Sequence, residues 1–458
     1  MATRFSSYSR AFLSLGDAAI ILLSAYVAFA LRWWTYVDVM EYRAGATILF
    51  VLIYGISFAI LDIHNYTESF RSTAYLTHFI ITVLMATGVV TVLFYVMPLW
   101  KFGRGVLLIN MAVVTILVYS WRLLFEVLFK FARKPLRMIV IGSGFSGKHI
   151  YDILRKHPDA FTVIGFLDDD PGRSGTGIGE HRVLGGSGML MDLTERRAMD
   201  AVVIAITGNK TPRLLTALVD AKMKGVEVYD MPDLYEEITG KLPADHIGDA
   251  WMAYARFKGV RRNLYTLHLK RIMDILQSVL GLILSLPIAI IAAIAIKLDS
   301  RGPVLYQQAR MGKNECIFTL CKFRSMRSDA EDGAAVWASP DDPRITRVGM
   351  FLRKTRIDEI PQMWNVLKGE MSFIGPRPER PEFIAQLKKE VPFYSFRHAV
   401  QPGITGWAQV NYRYGASKED ALEKLHYDLY YIKNLSFTLD MHVLLKTIRV
   451  VLFGKGAR

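Results

Sequence analysis

Two carboxylates stand side by side at Asp358 and Glu359, inside the stretch RKTRIDEIPQMWNVLKG (353–369). A carboxylate is ionised at neutral pH, so it can act as a nucleophile without a general base. Its obstacle is charge, whenever the target is itself an anion such as a diphosphate. Three cations, Arg353, Lys354 and Arg356, lie just upstream. Pro361 suits the first turn of a short apolar helix that Gly369 can close, and it pushes Ile360 toward an extended conformation. The pair is therefore expected at a helix entrance, where free amides and the macrodipole favour anions.

More cations surround this stretch in sequence. Arg310, Lys322 and Arg324 fall in SRGPVLYQQARMGKNECIFTLCKFRSM (300–326), which alternates as strands do. Arg377 stands between Pro376 and Pro378 in GPRPE, so a stiff turn presents its guanidinium, whose fork matches phosphate oxygens. Each cation taken singly reads as part of a solvated basic face. Together with Arg353 and Arg356 they encircle an acidic pair, which favours an anion site. Such a site could attack a nucleotide diphosphate sugar, expelling a nucleoside monophosphate and leaving a phosphosugar on Asp358. A membrane-held acceptor phosphate could then displace the aspartate. Mg²⁺ is the hard, oxygen-seeking ion that would neutralise the phosphates, with the second carboxylate holding it.

The elements that must position these residues follow from the hydropathy pattern. The chain has 458 residues, enough for roughly three domains, and 52% of them are hydrophobic. That is a mixed membrane and globular composition. The formal charge of +14 fits an anionic membrane face or phosphorylated substrates. No zinc-finger spacing or RNA-binding signature points to nucleic acid. Cys316 and Cys321 read as buried reduced thiols, since two ligands make no zinc site. Apolar runs at about 11–31, 45–62, 75–97 and 104–121 are each long enough, or nearly so, to cross a bilayer, with Trp33, Trp34, Trp100 and Trp121 at their ends. The first run has no cleavage site, so no cleavable signal peptide is expected. Arg122, Lys130, Arg133, Lys134 and Arg137 then crowd together, which places that end, and the N-terminus, in the cytoplasm.

Residues 137–230 alternate strand and helix, a Rossmann-like pattern with Gly142, Gly144 and Gly147 in GxGxxG spacing and Asp168 at a second strand's end. The glycine signature is weak evidence for NAD, and a regulatory or structural role is the preferred reading. A fifth apolar run, 275–296, has cations at both ends and a Ser285-Leu286-Pro287 interruption. Proline removes a backbone hydrogen bond and bends a helix. A full crossing would also export the downstream cations, so a re-entrant helix–break–helix is expected. Segments 421–434 and 440–453 read as helices suited to a headgroup layer or to core packing.

At these residues the chain resembles the bacterial sugar transferases, the monotopic polyprenyl-phosphate phosphoglycosyltransferases, in their large exopolysaccharide- and O-antigen-initiating branch. The resemblance covers the whole chain and is most specific over 266–458. There Lys270-Arg271…Asp274, the Ser-Leu-Pro break, KFRSM, DEIPQ, GPRPE and PGITGWAQV stand in the family's order. It implies Asp358 as nucleophile, Glu359 as Mg²⁺ ligand and Arg377 as a phosphate or nucleotide contact, in a reaction of two displacements. It also implies a UDP-sugar donor, glucose or galactose by expectation, and undecaprenyl phosphate as acceptor at the bacterial inner membrane. The expected architecture is a four-helix transmembrane bundle (1–130), a Rossmann-like α/β domain (136–245), and an α/β catalytic domain (262–458) anchored by a re-entrant helix (270–297). A homodimer is among the expectations.

Two rival readings are distinguishable. Membrane nucleotide-sugar dehydratases also join four spans to a Rossmann-like domain and use NAD. Tyr414 and Lys418 have their Tyr-x-x-x-Lys spacing, but in a loop with no second glycine-rich turn before it. A non-enzymatic scaffold of polysaccharide export would have no need of the acidic pair.

Overall fold

The computed structural model describes residues 7–34, 38–61, 63, 70–71, 73–97, 103–130, 135–208, 210–261, 263–327, 342–412 and 417–453. Trp100, Arg133, Lys134 and Tyr414, which figure in the sequence reading, lie outside them. Two compact units are present, residues 1–134 and 135–458.

The first unit contains four helices, α1 (Ser7–Trp33), α2 (Val39–Ile60), α3 (Thr73–Val96) and α4 (Arg104–Lys130). Phe50, Tyr54, Phe58, Phe79 and Phe125 pack its centre, while Leu15, Leu108 and Ile116 on the outside stay exposed. Helices apolar on every face suit a lipid surround. Phe12–Trp33, His78–Val96 and Arg104–Leu128 are long and apolar enough to cross a membrane, whereas the apolar part of α2, Ala44–Phe58, is shorter. Two expectations change. Arg122 does not mark a cytoplasmic end: it is fully buried, paired with Asp17, and donates to Ile63 O at 3.1 Å. A buried charge has to be matched by a partner, and Asp17 on α1 supplies it. Trp121 is likewise inside the bundle, for α4 runs on to Lys130 and the indole lies over Gly16, where a Cβ would come within 2.4 Å.

The second unit opens with alternating elements: β1 (Leu136–Ile141), α5 (Phe145–Leu154), β2 (Phe161–Leu167), β3 (Gly177–Ile178), β4 (His181–Gly185), α6 (Leu190–Glu195), β5 (Ala201–Ile204), α7 (Pro212–Met223), β6 (Glu227–Asp230) and α8 (Met231–Thr239). They build one sheet of order β3-β4-β2-β1-β5-β6, parallel except for the β3–β4 pair. This is the doubly wound arrangement that the glycine spacing suggests. Gly142 sits at φ +100°, and a Cβ on Gly147 would come within 1.9 Å of Gly142 O. Those two glycines are thus explained by the tight turn and the close helix–strand approach.

Then follow α9 (Asp249–Tyr254) and, after a π-helical turn at Tyr265–Leu269, α10 (Lys270–Asp299). The expected break is absent, for α10 continues through Pro287. The proline forfeits only its own N–H bond, and an apolar helix tolerates that loss when its neighbouring turns remain bonded. The remaining elements are β7 (Leu305–Met311), β8 (Ile317–Phe323), α11 (Arg347–Thr355), α12 (Gln362–Lys368), β9 (Ser372–Ile374), α13 (Pro381–Glu390), β10 (Gly403–Thr405), α14 (Trp407–Asn411), α15 (Lys418–Asn434) and α16 (Phe437–Phe453). Helix α15 is core, since Leu425, Leu429, Tyr431 and Ile432 are buried. Cys316 is exposed and Cys321 half-buried, and neither is bridged.

Candidate active site

Helix α11 starts where Thr346 Oγ1 accepts from Gly349 N at 3.0 Å. It stops at Arg356, a non-glycine residue at φ +60°, and the chain tightens into a 3₁₀ turn over Ile357–Glu359. That turn carries the acidic pair. Ile360 is helical (φ −51°, ψ −44°) rather than extended as Pro361 suggests. Its N–H bonds to Ile357 O at 3.2 Å, and both isoleucines pack against the cluster of Ala292, Ile296, Phe323 and Leu352. Apolar packing outweighs the local preference here. The pair accordingly lies between two helices, and the seven-residue α12 is too short to act as an anion-binding entrance.

Helix α10 holds this turn, and the Lys270-Arg271…Asp274 motif holds α10. Arg271 donates to Val366 O (2.6 Å) and Leu367 O (2.8 Å), closing the end of α12 where Gly369 turns left-handed. Asp274 Oδ1 accepts from Phe373 N (2.9 Å) and Ser372 Oγ (3.0 Å) on β9. Lys270 pairs with buried Asp440 at 2.7 Å, and Asp440 also accepts from Tyr265 and Tyr431. Sequence reasoning missed Asp440; its one signal was a lone acid in an apolar segment.

Asp358 is only 8% exposed and accepts no hydrogen bond from a described residue. A buried, unbonded carboxylate is costly, and such cost is characteristic of functional sites. Burial pushes it above the usual aspartate range, and the Glu359 charge adds to this, while Lys322, Arg377 and Arg353 pull back. Glu359 moves the other way. Burial would raise it, but Arg377 and Arg356 beside it hold it below its ordinary value. Arg377 Nη2 donates to Glu359 Oε1 at 2.8 Å, and Arg356 Nη1 lies 3.3 Å from the same oxygen. Lys322 on β8 lies under the Tyr306 ring (5.1 Å). Burial and then Arg310 pull its ammonium down to about 8, against the opposing charge of Asp358. Nη1 of Arg353 is buried without a hydrogen-bond partner among the described residues.

Arg310 lies 3.7 Å from Glu379 and acts on Lys322, while Lys322, Arg353, Arg356 and Arg377 converge on the acidic pair. Arg324 does not. Its guanidinium donates to Arg301 O (3.0 Å) and Ser300 O (2.7 Å), tying down the end of α10. The PRPE turn is clamped from three sides. Gly403 N donates to Pro376 O (2.8 Å), Arg310 Nη1 to Pro378 O (3.1 Å), and Arg397 Nη2 to Arg377 O (3.0 Å). A Cβ on Gly375 would come within 2.3 Å of Gln401 O, which is why GPRPE and QPGITG meet through glycine. Arg397 is itself buried against Asp428 of α15 (2.9 Å), a pair that carries no spacing signature in the sequence.

Among the described residues no group of three or more His, Cys, Asp or Glu is placed to hold a metal ion. Mg²⁺ commonly takes one or two carboxylates and completes its shell with water and phosphate oxygens. The Asp358–Glu359 pair facing a diphosphate offers that donor set.

Comparison with known proteins places this geometry in a family. A bacterial sugar transferase model matches residues 265–454, and a CoA-binding domain model matches residues 59–232. An exopolysaccharide production protein of Rhizobium leguminosarum bv. phaseoli is 44% identical over 41% of this chain and 98% of its own length. A UDP-N-acetylgalactosamine-undecaprenyl-phosphate N-acetylgalactosaminephosphotransferase of Aeromonas hydrophila is 45% identical over 51% of this chain and 54% of its own length. An undecaprenyl-phosphate glucose phosphotransferase of Komagataeibacter xylinus is 35% identical over 70% and 60%. The chain belongs to the bacterial sugar transferase family. It spans little more than half the length of the last two relatives.

Proposed function

We propose that the chain transfers a sugar-1-phosphate from a UDP-sugar to undecaprenyl phosphate, releasing UMP, as the first membrane step of a polysaccharide pathway. The observation that carries this reading is Asp358, a buried carboxylate that accepts no hydrogen bond from a described residue, with Lys322, Arg353, Arg356 and Arg377 about it and Glu359. In the first displacement a carboxylate oxygen of Asp358 attacks the phosphorus that bears the sugar. The bond from that phosphorus to the bridging oxygen breaks, and UMP leaves with the oxygen. Lys322, Arg353 and Arg377 neutralise the phosphate charge that would otherwise repel the nucleophile. In the second displacement an oxygen of the lipid phosphate attacks the same phosphorus and frees Asp358. Glu359 would hold Mg²⁺ against the diphosphate, where the ion supplies further charge neutralisation.

The bilayer reading rests on apolar surface. Helix α10 is long and apolar enough to cross a membrane, and Leu276, Ile283, Leu284 and Ile291 on it are more than half exposed. Met350, Phe351 and Trp364, on the helices flanking the acidic turn, are exposed as well. Patches of that kind need an apolar partner. In this reading α10 is bent at Pro287 without being broken, so that it enters and leaves the cytoplasmic leaflet of the inner membrane, with the site on the cytoplasmic side. The relatives' names include both glucose and N-acetylgalactosamine, so the donor is assigned by assay. UDP-glucose, UDP-galactose and UDP-N-acetylgalactosamine are offered with undecaprenyl phosphate, and UMP release is scored. Intact mass after incubation with the active donor, without lipid, should show one added sugar phosphate on the wild type. None should form on Asp358→Asn. An adduct on that variant would sink the two-step scheme.

A further inference from the structure

A cavity of about 650 Å³ lies away from the acidic pair, within the second unit. It opens at the carboxyl ends of β5 and β6, between Thr207 and Asp230, and reaches Ser146 in the first turn of α5. That is the side of the sheet where the strand order reverses, from β1-β2 outward one way to β1-β5-β6 the other. Doubly wound sheets bind ligands at that reversal. The volume is that of a small-molecule site.

The walls define the ligand's chemistry. Lys210 is spent on Asp230 (3.2 Å), and Lys433, which reaches in from α15, is spent on Asp233 and Glu236. Arg256 on the rim makes no ion pair or hydrogen bond with a described residue. An unspent guanidinium lining a cavity that also contains the first turn of α5 suits a phosphate. Trp251 and Tyr254 of α9 form an aromatic border, with the Lys433 ammonium 4.7 Å from the Trp251 ring. The other half of a dinucleotide site is closed. Asp168, placed where an acid would take ribose hydroxyls, already accepts from Ser143 N (2.8 Å), Ser143 Oγ (2.6 Å) and Arg173 Nη1 (3.2 Å) at Oδ2, and from Asp170 N (3.0 Å) at Oδ1.

We infer that this cavity binds a mononucleotide, a nucleoside mono- or diphosphate, with its phosphate toward Arg256 and the α5 turn and its base toward α9. Since Lys433 belongs to α15, the ligand bridges the Rossmann-like sheet and the half of the unit that carries the acidic pair.

Hydrogen–deuterium exchange on the full chain in detergent tests this peptide by peptide, with UMP, ADP and NAD⁺ as separate probes. UMP or ADP should protect peptides covering 204–208 and 246–256, and Arg256→Ala should weaken that protection's midpoint by about tenfold or more, the effect of losing one charged hydrogen bond. The thermal midpoint of the unliganded variant serves as the folding control, and Arg256→Lys should recover part of the affinity. Protection confined to the peptides of the acidic turn would overturn the inference, and so would binding indifferent to Arg256. NAD⁺ protecting 142–147 together with 168–173 would show a dinucleotide site and overturn it too. The readout is independent of sugar transfer, so it stands or falls apart from the proposed reaction.

Discussion

At the scale of single residues, adjacent Asp358 and Glu359 are given opposite characters by their surroundings. Burial and a like charge raise Asp358; two guanidiniums hold Glu359 down. If ionised Asp358 is the nucleophile, kcat/KM must fall as pH drops through its raised value, earlier than for an ordinary carboxylate near ~4. Glu359→Gln removes one upward push and releases Arg377 and Arg356, so its acid limb should move to lower pH even as the rate falls. An unmoved limb would mean that another group titrates. Lys322 predicts the alkaline side. With its ammonium pulled down to about 8, the KM for the donor should rise above that pH as the charge is lost. Lys322→Arg should keep KM flat there, because a guanidinium stays charged.

Element scale explains why distant motifs cooperate. Arg397 bonds the carbonyl of Arg377, whose side chain reaches Glu359, so the buried Arg397–Asp428 pair sets the PRPE turn without touching substrate. Removing one partner of such a pair costs roughly 3–5 kcal/mol, so Arg397→Ala would confuse folding with function. Arg397→Lys keeps the charge but loses the fork. It should raise the donor KM several-fold with a smaller change in kcat, and equal loss in both would argue against a positioning role. Helix α10 makes a topological prediction. In a background lacking Cys316 and Cys321, single cysteines at exposed positions near Lys270 and near Arg301 should both resist a periplasmic thiol reagent if α10 is re-entrant. Labelling near Arg301 alone would make it a full crossing.

Across the second unit, the Rossmann-like sheet is joined to the catalytic half chiefly through α15. Trp407 Nε1 donates to Gly240 O at 2.9 Å, Lys241 pairs with Glu423, and His426 lies 3.1 Å from Asp245 and 3.4 Å from Glu423. Burial would lower His426, but Asp245 and Glu423 outweigh it and hold the imidazole above its usual value. A base raised in the folded state stabilises fully below its unfolded value, about 6.5, and that contribution is lost as pH rises through the folded value. The unfolding midpoint should therefore decline as pH rises above about 6.5, and His426→Gln should flatten the decline. An unchanged slope in that variant would assign the dependence elsewhere.

Sequence alone determined what local chemistry can encode. Hydropathy runs located the helices of the first unit and α10, the strand and glycine pattern located the doubly wound sheet, and the acidic pair with its cations marked the candidate site. Each signal depends on residue type and spacing along the chain. Tertiary structure decided the rest, because those outcomes depend on partners far apart in sequence. It turned Arg122 inward onto Asp17, 105 residues away. It took Arg324 out of the site to bind the end of α10, and kept Ile360 helical by packing it on the cluster of Ala292, Ile296, Phe323 and Leu352. It also supplied Arg397, Asp428 and Asp440, whose roles exist only once their distant partners are brought within hydrogen-bond reach.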